Sequence, residues 1–136
     1  MAGNATDYLE PLVLQHTLGI AAMPMPPGLY VGLCTTAPND ATRGTEVSGG
    51  GYTRLAATFA MSAGYATNDS TLEWPAATSP WGNIGWAEIW DAQTAGNRLY
   101  WLPLVDPADM VTPVTKSVAT GDIMRFPAGD LRISCD

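Results

Sequence analysis

The chain has 136 residues, 46% of them hydrophobic and only 14% charged, with a net charge of −7. That length suits one domain able to bury about two-thirds of its unfolded surface without metal or disulfide support. The acidic balance, with a single lysine (Lys116) and five scattered arginines, argues against a phosphate-backbone binder and against anionic membrane surfaces. No run of 18 apolar residues is present, so no membrane span is expected. The opening residues MAGNATDYLEPLVLQH lack a basic stretch followed by a long apolar one and do not read as a signal peptide.

In chain order, residues 7–19 (DYLEPLVLQHTLG) predict a short helix, with Leu9, Leu12, Val13 and His16 on one face. Asp7 is placed to cap it, Glu10 to answer the cap, Pro11 falls in the first turn and Gly19 stops it. Such a helix is too short to stand alone in water and must dock on its own domain or on a neighbouring subunit. Residues 21–28 (AAMPMPPG) follow as a stiff, proline-rich arm. Eight short strands are then expected, at 28–36, 53–61, 71–74, 83–90, 97–105, 111–118, 122–126 and 130–135, separated by Gly/Pro/Asn/Asp turns. This is an all-β pattern, read as a single antiparallel β-sandwich (28–136) preceded by a helix and arm (1–27). Residues 37–52 (APNDATRGTEVSGGGY) make a long polar loop closed by Tyr52, a candidate contact residue, and loops of this length are often functional or ordered by a partner.

The stretch WGNIGWAEIWDA (81–92) holds three of the five tryptophans. On a strand, Ile84, Trp86, Glu88 and Trp90 share one face and Gly85, Ala87 and Ile89 the other. Burying Glu88 without a partner would cost several kcal/mol, so its face is expected to be partly wet. Three uses follow for Trp86, Glu88 and Trp90: packing within the domain, a subunit seam, or a platform on which sugar rings stack. Tyr100 and Trp101 sit on the next strand, joined to this one through DAQTAGN with Gly96-Asn97 at the bend.

Catalytic chemistry finds little support. The single histidine, His16, lies on the apolar helix face and suits packing or capping. There is no HExxH, CxxC or GxSxG, and SGGGY (48–52) has no following lysine, so it is not a phosphate loop. Asp106 and Asp109 read as a solvated turn. Cys34 and Cys135 read as two buried free thiols, or as one disulfide if their strands are neighbours. No cofactor, metal or catalytic residue is assigned.

The order of motifs LYVGLCTTAP, GTEVSGGGYTR, ATSPWGNIGWAEIWDA, GNRLYW and GDIMRFPAGDLRIS resembles a family of small tailed-bacteriophage proteins labelled phage tail fiber protein, over residues 7–135. EVSGGGYTR, WGNIGWAEIWDA and GDIMRFPAGDLRI are together its most specific part. The resemblance implies a non-enzymatic structural protein of the virion, assembled in the bacterial cytoplasm as a homo-oligomer such as a homotrimer. The implied partners are other copies of the chain and a tail or major capsid protein; host surface glycan is the further partner that the Trp86, Glu88 and Trp90 face suggests. Without coiled-coil heptads or a collagen-like repeat the chain forms no shaft by itself. A tail-tip or fiber component, a capsid decoration (cement) protein and a glycan-binding module are the three readings carried forward. Residues 1–27, with Leu9, Leu12, Val13 and His16, are expected to contact the virion or a neighbouring protomer.

Overall fold

A computed structural model describes residues 4–134. In chain order the elements are β1 (Asn4–Ala5), α1 (Leu9–Thr17), β2 (Leu29–Cys34), β3 (Leu55–Ala57), β4 (Phe59–Ser62), β5 (Tyr65–Asn68), β6 (Leu72–Glu73), β7 (Gly82–Ile84), β8 (Trp86–Trp90), β9 (Arg98–Pro103), β10 (Lys116–Val118), β11 (Arg125–Phe126) and β12 (Arg132–Ile133). The fold is all-β, with every named strand pair antiparallel. The largest sheet runs β1-β9-β8-β2-β3; a second runs β12-β5-β4, and β10-β7 and β11-β6 form two-stranded ribbons.

The core follows from alternation. Val31, Leu33, Ala87, Ile89 and Leu102 all point from the five-stranded sheet toward one side, and all are buried. Against them pack Leu72 and Phe126 from the β11-β6 ribbon, Ile133 from β12, and Trp74. Trp74 is 1% exposed, meets Phe126 edge-on and satisfies its indole N–H with the carbonyl of Thr53 at 2.9 Å. Two expected strands are split. The 53–61 strand breaks at Thr58 and changes sheet. The 83–90 strand breaks at Gly85, whose N–H donates to Cys34 O and whose carbonyl accepts from Leu104 N. That break turns Ile84 into the core with Ala87 and Ile89, not onto the tryptophan face where simple alternation placed it.

The helix is two residues shorter at each end than expected. Thr6, not Asp7, closes its N-terminus: the Thr6 carbonyl accepts from Leu9 N and Glu10 N at 3.0 Å, and its hydroxyl donates to Arg98 O at 2.7 Å. At the other end Gly19 (φ +73°) supports a Schellman motif, with Ile20 N on Gln15 O and Gly19 N on His16 O. Leu9 is buried with Ala5 and Leu99, and Val13 packs beside them. Because β1 pairs with β9, the segment before the helix belongs to the main sheet. Residues 21–28 form neither helix nor strand. Asp106 and Asp109 organise a turn; hydrogen bonds from Thr112 and Val111 hold the Asp109 carboxyl at a pKa of about 2. No helix among the described residues is long and apolar enough to cross a membrane.

The glycine triplet 49–51 has positive φ throughout. Only Gly50 is also crowded: a Cβ there would lie 2.8 Å from Ser79 O and from the Trp81 ring, whose N–H donates to the Gly50 carbonyl at 2.9 Å. Gly50→Ala is expected to cost about 2–3 kcal/mol, combining left-handed backbone strain of about 1–2 kcal/mol with the clash. Gly49→Ala, with open space around it, should cost only the strain. Urea midpoints of the two variants check this; equal losses would contradict it.

Candidate functional site

The outer face of the five-stranded sheet carries Gly32, Cys34, Trp86, Glu88 and Trp101, since Gly32 and Trp101 both oppose Glu88 and Trp86 opposes Cys34. Sequence reasoning expected this face to be half wet. The structure corrects that: Glu88 is 0% and Trp90 4% exposed, while Trp86 is half-buried. The loop 37–52 of the same chain lies over it. It is drawn in partly by backbone pairing with β2, through Thr35 N on Thr45 O and Val47 N on Leu33 O.

Two carboxylates hold the cover down. Glu88, rising from the sheet, accepts from Gly44 N at 3.0 Å, from Arg98 Nη1 at 3.3 Å and from the Cys34 thiol at 3.3 Å. Arg98 reaches further, donating through Nη2 to the carbonyls of Asn39 (2.6 Å) and Asp40 (3.2 Å). Glu46, descending from the loop, is gripped by Arg54 in a two-bond fork, Nε to Oε2 and Nη2 to Oε1, both 3.0 Å. It also accepts from Arg43 Nη2 at 2.9 Å and from the Tyr52 hydroxyl at 2.6 Å, while that hydroxyl accepts from Leu33 N. Arg54 Nη1 binds the carbonyls of Ala92 and Ala95 in the β8–β9 turn.

Between these hubs lies Trp90. The Arg54 guanidinium sits 3.8 Å from its ring centroid and that of Arg43 4.8 Å, so the ring is held by cation–π contacts in a desolvated setting. Its Nε1 has no hydrogen-bond partner among the described residues. Gly32 is required beneath: a Cβ there would come within 2.9 Å of Glu46 Oε2. Gly44 is more tightly constrained, because a Cβ there would lie 2.5 Å from the backbone oxygen of Thr36. Tyr52 also meets Trp81 edge-on, linking the loop to the core.

Burial, and then the adjoining charge of Glu88, pushes the Cys34 thiol pKa up; burial, and then the hydrogen bond to Glu46, does the same for the Tyr52 phenol. Both are acids whose folded-state pKa lies above the unfolded value. Their contribution to stability is therefore complete below the unfolded values, about 8.5 for thiol and 10 for phenol, and is lost as pH rises past them. Stability is expected to fall by about 1.4 kcal/mol per pH unit above each threshold. Denaturant midpoints from pH 8 to 11 check this. Cys34→Ala should flatten the first part of the decline, and an unchanged profile would contradict the assignment.

Of the residues singled out from sequence, Trp86, Glu88, Trp90 and Tyr52 come together around this network. Leu9, Leu12, Val13 and His16 lie apart on α1: Leu9 buried, Leu12 and Val13 half-buried, and His16 exposed, its Nδ1 accepting from Met23 N at 3.2 Å. Sequence reasoning missed Glu46, Arg54, Arg98 and Gly44. Cys34 is a free, buried thiol, and Cys135 lies outside the described residues. At the start of α1 the carboxylates of Asp7, Glu10 and Asp40 come within 4.8 Å of one another, and Asp40 accepts from the Trp101 indole N–H at 2.7 Å. A solvent-facing acidic cluster of this kind defines no cation site by itself.

A family model described as Podophage GP4 fiber I protein gp80 matches residues 4–134. The chain belongs to the podophage GP4 fiber I protein family. No curated protein matches it. The match covers the helix, both sheets and the sealed loop together. Membership makes the protein a structural phage fiber component, and so a component of the virion. Within this fold the acids of the tryptophan face are spent on the loop and the sheet: Glu88 bonds Gly44, Arg98 and Cys34, and Glu46 bonds Arg43, Tyr52 and Arg54.

Proposed function

We propose that this protein is a tail-associated building block of the podophage fiber, assembling as a homo-oligomer in contact with other phage structural proteins. The family match across residues 4–134 carries the reading. The buried network supports it, because it spends the chain's most chemically distinctive side chains on holding a loop to a sheet. A sugar platform at Trp86 and Trp90 would require that loop to lift, so host-glycan binding is not assigned to this face. A capsid decoration role fits the size of the domain but has no structural observation of its own.

Gold-labelled antibody on intact particles tests the reading. Label confined to the tail is the expected result. Label spread over the head would replace the fiber role with decoration, and no label on any particle would overturn the virion assignment.

A further inference from the structure

The hydrophobic residues left in water are not scattered. Among the described residues, eight large apolar side chains are exposed, and five of them (Tyr8, Leu14, Leu18, Ile20 and Met25) fall within residues 8–25. The helix α1 docks on its own sheet through Leu9 and Val13. Leu14 and Leu18, one turn apart, then stand on a face that its own domain leaves open, 58% and 69% exposed. Ile20 and Met25 follow at 72% and 91%. Summed over Leu14, Leu18, Ile20 and Met25 the exposed surface is on the order of 500 Å², within the size range of the largest and often functional apolar patch of a monomer and a large part of the roughly 800 Å² each partner gives to a stable interface.

The same chain carries a groove able to receive such side chains. It lies between the two main sheets, has a volume of about 220 Å³, and is lined by Leu29, Phe59, Met61, Tyr65, Tyr100 and Ile133 among others. An apolar cavity of about 150 Å³ accommodates a benzene-sized group, so this one has room for one or two aliphatic side chains. Met61, on its rim, is 74% exposed and adds to the apolar area.

The charge pattern favours a second copy as the occupant. Two copies of a −7 chain repel over most of their surfaces. Residues 11–39 contain no Asp, Glu, Lys or Arg, and none of the residues lining the groove is charged. These are the surfaces on which two copies can meet without opposing carboxylates. A strongly charged partner would find no countercharge on either.

We propose that the exposed face of α1 and the segment through Met25 of one copy seat in the apolar groove between the sheets of a second copy. This rests on the homo-oligomer reading above and assigns its contact. The insert and the socket are different surfaces, so the contact is heterologous and each copy can both give and receive.

The test uses the full chain in sedimentation equilibrium, with circular dichroism and thermal unfolding as checks on folding. One variant, Leu18→Glu with Ile20→Glu, spoils the insert; another, Met61→Glu, spoils the socket. All three positions are exposed, so the folded monomer should keep its spectrum and melting temperature. Wild type is expected to associate, and each variant to weaken association by about 100-fold or more, as a charge forced against an apolar surface demands. Mixing the two variants should restore a heterodimer, because the first retains its socket and the second its insert. Variants that associate like wild type would overturn the assigned contact while leaving the homo-oligomer reading intact. A wild type that stays monomeric at every concentration would overturn both.

Discussion

Glu88→Ala is expected to destabilise the fold by about 3 kcal/mol, near the lower end of the cost of breaking a buried ion pair. The loss is not that of one contact. Arg98, 8% exposed, would stay buried without its carboxylate, and Gly44 N–H and the Cys34 thiol would lose their acceptor. Arg98 keeps its bonds to the carbonyls of Asn39 and Asp40, which moderates the cost. For a domain of this size such a loss corresponds to a melting temperature lower by roughly 10 °C. Glu88→Gln keeps the shape and the acceptor oxygen but not the charge, and should fall between the alanine variant and wild type. Thermal unfolding of the three proteins checks the order. A Glu88→Ala variant as stable as wild type would mean that the loop is held by its backbone pairing with β2 and by the Glu46–Arg54 pair, with no contribution from Glu88.

The second large effect is expected at Arg54. This side chain, 5% exposed, joins three parts of the molecule: Glu46 in the loop, the carbonyls of Ala92 and Ala95 in the β8–β9 turn, and the face of Trp90. Arg54→Ala should cost about 3–4 kcal/mol, as expected when one partner of a buried pair is removed. Glu46 retains Arg43 and Tyr52, but Arg43 is half exposed and holds it less firmly. Arg54→Lys restores the charge without the planar fork and should recover less than half of the loss. Denaturant unfolding gives the stabilities, and the change in tryptophan emission as the Trp90 face meets water gives an independent local reading. Full recovery by lysine would show that charge, and not the geometry of the fork, carries the interaction.

These two residues also mark where sequence reading stops. Strands at 29–34 and 98–103 are visible as alternating apolar runs between turn residues, and Gly19 is visible as a helix stop. A capping box predicts Asp7, three residues before Glu10, as the cap; Thr6 stands there instead, its hydroxyl accepting from Leu9 N at 3.3 Å while donating to Arg98 O, 92 residues away. β1 and β5 left little trace. Asn4–Ala5 is a strand only through its pairing with β9, and Tyr65–Asn68 is too polar and short to stand out. The tryptophan–acid face was legible as a face, because alternation alone sets it. Its burial was not. The donors that make a buried Glu88 tolerable come from Gly44 and Arg98, 44 and 10 residues away, and nothing local announces them. Glu46 and Arg54 are eight residues apart across a glycine-rich turn, a spacing that matches no helix or strand period.

The loop 37–52 seals the tryptophan face, and Cys34, beneath that loop and bonded to Glu88, reports on the seal directly. In a Cys135→Ser background, the rate at which a thiol reagent labels Cys34 at neutral pH is the most direct measurement. A sealed face predicts labelling no faster than global unfolding allows, with Glu88→Ala accelerating it. Rapid labelling of the folded Cys135→Ser protein with Glu88 intact would show that the loop stands open and that the tryptophan face is available to a partner after all.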